Sequence, residues 1–147
     1  MPEPGLAWAV RASFLAYVAG LPDGRASVSG GATLTFDDPQ RVIFAPDPEH
    51  TTAVELAYRG DLRLAGHGGL LFVRLANPRL RLDGDRAVLS VDDPRSEDGS
   101  GPRLDLVRLR LDEDGSGRDV RLLAAGVPLF NHVYAEGEPF DDLAVLG

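Results

Sequence analysis

The sequence predicts a mainly β fold of the α+β kind: an antiparallel, sandwich-like sheet with one N-terminal helix and one short C-terminal helix. Three observations carry this reading. Several mid-chain stretches alternate apolar and charged residues with period two. Only one early segment shows helical spacing. Gly, Asp and Pro clusters punctuate the alternating stretches.

The helix comes first. Val10, Phe14, Tyr17 and Val18 follow the i, i+4, i+7, i+8 spacing of one face, and Gly20 and Pro22 end it. The same spacing puts the Tyr17 phenol on the buried side. Next, Val54, Leu56, Tyr58, Leu62 and Leu64 alternate with Glu55, Ala57, Arg59, Asp61 and Arg63. Leu80 and Leu82 alternate with Arg79, Arg81 and Asp83, and Asp83-Gly84-Asp85 reads as a hairpin turn into a strand over 87–91. Val107, Leu109 and Leu111 alternate with Arg108 and Arg110, while Leu104 and Leu106 fall in the opposite phase. A bulge or register shift near Leu106 is therefore expected. Strands with one apolar and one charged face pair antiparallel. Segments 92–102 and 112–117 read as loops, the second a tight acidic turn, and a short helix is expected over about 128–135. The acidic pairs Asp37-Asp38, Asp92-Asp93 and Asp141-Asp142 read as solvated turn residues.

Composition bounds the function. The 147 residues fit one domain, 1–147, with a core that needs no staples. A net charge of -8 argues against nucleic acid and anionic lipid as partners. All 15 basic residues are Arg, which reflects codon usage rather than function. Cysteine is absent, so thiolate metal sites, disulfides and cysteine nucleophiles are excluded. The start Met1-Pro-Glu-Pro lacks the features of a secretory signal, and no apolar run approaches the ~20 residues of a membrane span. The expectation is a cytoplasmic protein without membrane insertion.

Three separated segments carry chemistry. The first ends in Phe14 and Tyr17, the second is Gly66-His67-Gly68-Gly69, and the third runs from Phe130 through His132 and Tyr134 to Phe140. Phenol and imidazole among aromatics are iron-ligand types in the surroundings that haem requires. Tyr17 is read either as a core tyrosine or as an axial phenolate, a hard anion that favours Fe(III). A phenol of pKa near ~10 needs the metal or a strong donor to lose its proton. From its glycine turn, His67 could bond the phenolate oxygen or bind the opposite iron face. His132 and Tyr134, two apart, do not both reach one iron. Phe14, Phe130 and Phe140 wall a pocket or fill the core. Ser29 and Gly30, in a glycine break, could present donors to a carboxylate such as a haem propionate.

Taken in order, these segments resemble the HtaA domain family of actinobacterial haem-binding proteins. The resemblance spans nearly the whole chain. It rests on Leu6-x-Trp8-x-Val10-Arg11-x-Ser13-Phe14-x-x-Tyr17, Ser29-Gly30-Gly31, Gly66-His67-x-Gly69, Asn77-Pro78, Phe130-x-x-x-Tyr134-x-x-Gly137 and Asp141. It implies a mostly β fold, one haem b per chain, Tyr17 as axial ligand and His67 as its support, with Tyr134 as the C-terminal aromatic of the pocket. Ala9 departs from the glycine usual after the tryptophan. Members are typically secreted or surface-anchored, unlike the expectation for this chain. The function expected is holding ferric haem and passing it between donor and acceptor proteins. A haem-dependent enzyme using peroxide or modifying haem, with His67 or His132 as acid/base, is the alternative; a small-molecule-binding domain without haem is a third.

Overall fold

The structure, a computed structural model, describes residues 4–37, 40–95 and 101–147. Asp38, and positions 96–100 of the expected loop, lie outside the described residues.

The first element is a strand, β1 (Gly5–Trp8), and not a helix. Its side chains are all buried, because the strand is paired on both edges and covered on both faces. Such a strand reads as a continuous apolar run, which periodicity cannot distinguish from a helix. Helix α1 (Ala12–Gly20) starts only after Val10, whose φ of 63° breaks the chain direction. The predicted stop at Gly20 and Pro22 holds. At the other end, Arg11 offers no side-chain cap; Asp141 Oδ1 instead accepts the Ala12 N–H at 3.0 Å. The carboxylate thus sits at the positive end of the helix. Asp141 also accepts the Trp8 indole N–H on its carbonyl at 2.7 Å, so it is a tertiary anchor and not a solvated turn residue.

The remaining strands are β2 (Arg25–Ser29), β3 (Ala32–Leu34), β4 (Val42–Pro46), β5 (Glu55–Arg59), β6 (Asp61–Gly66), β7 (Leu71–Ala76), β8 (Arg79–Asp83), β9 (Arg86–Asp92), β10 (Arg103–Leu111), β11 (Ser116–Leu122) and β12 (Leu143–Leu146). The mainly β, antiparallel expectation holds. The layers arise by closure: β1 joins β12 to β4, so the order β1-β12-β11-β10-β9-β8-β5-β4 returns on itself as a barrel, with β3 added on β4. A second sheet, β2-β6-β7, stands beside it. The β8–β9 hairpin turns at Gly84-Asp85, and the β9–β10 register shifts between Asp105 and Val107, both as expected. The shift explains why Leu106 and Val107, adjacent in sequence, are both fully buried. The acidic turn after β10 also forms, closed by the Asp112 and Ser116 backbones.

Two further expectations are corrected in detail. The single alternation from Val54 to Leu64 is two strands, β5 in the barrel and β6 in the small sheet, separated by Gly60. Tyr58, Leu62 and Leu64 are buried on either side of the break because both sheets face one core, whereas Val54, read as part of the same apolar face, is 63% exposed. The helix expected over 128–135 is a single 3₁₀ turn, Pro128–Phe130, since Asn131 and His132 both take positive φ.

Between β5 and β8 the chain leaves the barrel and returns to it at two adjacent points, Gly60 and Asn77-Pro78. There Asn77 Oδ1 accepts the Gly60 N–H at 3.1 Å, and Gly60 O accepts the Asn77 N–H at 2.8 Å. Asn77 Nδ2 donates to Asp92 Oδ2 at 2.8 Å, and Arg103 donates to Asp92 Oδ1, Ser90 Oγ and the Asn77 carbonyl. Asp92, only 5% exposed, is therefore a buried ion-pair partner, contrary to its reading as a solvated turn residue. Burial stays tolerable because both carboxylate oxygens are bonded. Asp92→Ala should cost about 3 kcal/mol, because it strands a guanidinium whose side chain is 21% exposed. Urea denaturation checks this, and a loss below about 1 kcal/mol would mean that the corner holds without the pair.

Candidate functional site

Residues that are far apart in sequence meet beside the small sheet. Helix α1 buries Phe14, Leu15 and Val18. Tyr17 lies on the helix flank and is 49% exposed, so its phenol is not on the buried side as the spacing had implied. The strands β6 and β7 form a hairpin whose tip is the 3₁₀ turn His67–Gly69. That tip brings His67 Nε2 to 2.5 Å from the Tyr17 hydroxyl.

The tip is held by backbone geometry. His67 has φ of 51° and Gly68 of 64°. Asp23, in the turn after α1, accepts the His67 N–H at 3.1 Å and the Gly68 N–H at 2.7 Å. The Gly68 hydrogen bond, with the His67 one, holds the Asp23 carboxyl below its ordinary 3.8 despite opposing desolvation. Gly66 lets the two loops touch, since a Cβ there would lie 2.6 Å from Leu21 Cδ1.

Behind the Tyr17–His67 pair lies a cavity of about 520 Å³, within the usual range for ligand pockets. Its inner wall is aromatic. Phe14 meets Phe130 edge-on at 5.6 Å and Tyr134 at 6.2 Å, and Phe130 meets Tyr134 at 5.8 Å. Arg11 backs Tyr134 with its guanidinium 4.6 Å over the ring, tethered by Glu138 at 3.2 Å. Leu71 and Val73 of β7 form the aliphatic wall. At the mouth stand Leu70, 85% exposed, and Val133, 71% exposed. Asn131 Nδ2 donates to the Leu70 carbonyl at 3.3 Å, linking the two sides of the mouth. Among the described residues, no Asp, Glu, Lys or Arg lines the cavity. The polar groups that face it include a phenol bonded to an imidazole, so one phenol oxygen can serve a hard Lewis acid while the imidazole supports it.

The sequence model of the HtaA family, described as Htaa, matches residues 4–146. The chain belongs to the HtaA family. Solved structures agree with the fold. The C-terminal domain of HtaA from Corynebacterium glutamicum is 27% identical, with 99% of this chain and 98% of that one covered and a TM-score of 0.70. The N-terminal domain of the same protein is 23% identical over 97% and 94%, with a TM-score of 0.79. The heme binding protein HtaB of that organism is 20% identical over 97% and 91%, with a TM-score of 0.78. None of the curated proteins compared with this chain matches it.

Of the residues singled out from sequence, this HtaA domain brings Phe14, Tyr17, His67, Phe130 and Tyr134 to one cavity. His132 is exposed and does not line it. Ser29 pairs with Asp61, five residues along β6 from Gly66, which is about 17 Å. It and Gly30 lie at the far end of the small sheet. The glycine break there serves the corner, since Gly31 has a φ of 116° and a Cβ on it would lie 3.0 Å from the Arg59 carbonyl oxygen. Leu70, Leu71, Val73, Asn131 and Val133 were missed. The available signal was the apolar run Leu70-Leu71-Phe72-Val73 directly after the glycine turn.

The Asp23 tie has a pH signature. Its folded-state pKa lies below 3.8, so the tie contributes above that pH and is lost as pH falls through the lower folded value. The Gly68 amide proton resonance should therefore titrate with a midpoint below 3.8. A midpoint at or above it would mean that the carboxylate does not hold the turn.

Proposed function

We propose that this domain, 1–147, holds one ferric haem b in the aromatic cavity, with the Tyr17 phenolate as axial ligand. The observation that carries the proposal is the Tyr17–His67 hydrogen bond at the mouth of a cavity walled by aromatic and aliphatic side chains. The donor set fits the group. Fe(III) favours a hard oxygen anion, and a porphyrin needs apolar walls on its faces and edges. Kinship to the HtaA family, and likeness of fold to a protein described as heme binding, support the same ligand.

His67 donates Nε2–H to the phenolate oxygen and favours its charged form. Phe14, Phe130 and Tyr134 exclude water from the porphyrin, and Arg11 keeps the Tyr134 ring in place. The domain stores ferric haem and passes it between donor and acceptor proteins. The exposed Leu70 and Val133 at the mouth give such proteins an apolar place to dock.

Titration of the protein with hemin should saturate near one equivalent with a shifted Soret band. A featureless partition curve would sink the proposal. Tyr17→Phe should abolish the phenolate-to-iron charge-transfer band without unfolding the domain. An unchanged spectrum would move the assignment to Tyr134. His67→Ala should keep a tyrosinate-type spectrum while weakening binding by roughly 10–100-fold. A change of spin state in that variant would instead place His67 on the opposite iron face.

A further inference from the structure

We infer that Asp23 is a positioning residue that sets the Tyr17–His67 hydrogen bond, acting through the backbone of the His67 turn. The inference rests on the haem reading above for its consequence, but its geometry belongs to the protein alone.

Both Asp23 carboxylate oxygens are used. Oδ1 accepts the His67 N–H and Oδ2 the Gly68 N–H, at 3.1 and 2.7 Å. These two amides sit in left-handed backbone, which a non-glycine residue such as His67 adopts only at a cost. The carboxylate offsets that cost by binding the pair of amides that this conformation turns to one side. Asp23 also follows α1 by only three residues, so the group that fixes the imidazole is coupled to the helix carrying the phenol. Leu21 and Gly24 of the same turn pack on Gly66, which leaves little room for the tip to slide. Without the carboxylate the turn relaxes toward ordinary φ values, and the imidazole swings away from the phenol. Because Asp23 is exposed, its loss does not open the core.

The test is a double-mutant cycle with Asp23→Ala and His67→Ala, read by hemin affinity and by the iron–phenolate resonance Raman bands. A second readout uses no haem: the imidazole ¹⁵N shifts of His67 in the apoprotein. Asp23→Ala should weaken hemin binding about tenfold and move the Raman bands in the same direction as His67→Ala. In the His67→Ala background it should cost less than twofold more, because its effect is spent through His67. In the apoprotein, Asp23→Ala should shift Nε2 toward the value of an unbonded imidazole, and Asp23→Asn, which keeps one acceptor, should fall between. Thermal melting controls for folding, and Asp23→Asn serves in the cycle if the alanine variant is unstable. Equal losses in both backgrounds, or an unchanged Nε2 shift, would overturn the inference. If the native protein takes up no hemin, the haem reading fails while the ¹⁵N measurement still decides the role of Asp23.

Discussion

The buried corner formed by Gly60, Asn77, Asp92 and Arg103 is the constraint on which the site depends. The chain leaves the barrel at Gly60 and re-enters it at Asn77-Pro78, and everything between is the hairpin that ends in His67. Asn77 uses its amide, carbonyl and both side-chain groups at this point, and Arg103 clamps the result from β10. A polar network satisfied to this degree admits few alternative geometries. The direction in which β6 and β7 project is thereby set, and with it the place where an imidazole can meet the phenol of α1.

The helix is placed by an independent set of bonds. Asp141 binds the Ala12 amide, its carbonyl accepts from Trp8, and its own N–H donates to the Val10 carbonyl. Val10 and its positive φ turn the chain sharply from β1 into α1. Trp8 and Phe140 then join the ring cluster that continues through Phe130 to Tyr134 at the cavity wall. Rigid packing therefore runs unbroken from the barrel to the pocket. The pocket mouth alone is left open, with Tyr17, Leu70 and Val133 exposed there. Precision at the inner wall with access at the mouth suits a ligand that must enter and leave.

Much of this was legible in the sequence. Period-two strands such as β8 and β10 declared themselves because one face meets the core and one meets water. The bulge at Leu106 showed as a change of phase. Other elements lacked that contrast. β1 is covered on both faces and reads as an apolar run, while β2 is almost wholly exposed and carries no alternation. The site residues Tyr17 and His67 stood out by type and by their motifs. Their neighbours Leu71, Val73 and Val133 did not, because an apolar residue lining a pocket is indistinguishable in sequence from one filling a core. The structural roles of Asp23, Asp92 and Asp141 were hidden for a different reason, although Asp141 belongs to the motifs of the resemblance: an acidic residue beside a turn looks solvated until the tertiary partner is known.

A crystal structure of the hemin-loaded protein bears most directly on the central claim, that Tyr17 is the ligand and His67 its support. It should show the porphyrin against Phe14, Phe130 and Tyr134, the iron bonded to Tyr17 Oη, and His67 Nε2 within hydrogen-bond distance of that same oxygen. Iron bonded to His67 or Tyr134, or haem bound outside this cavity, would contradict it.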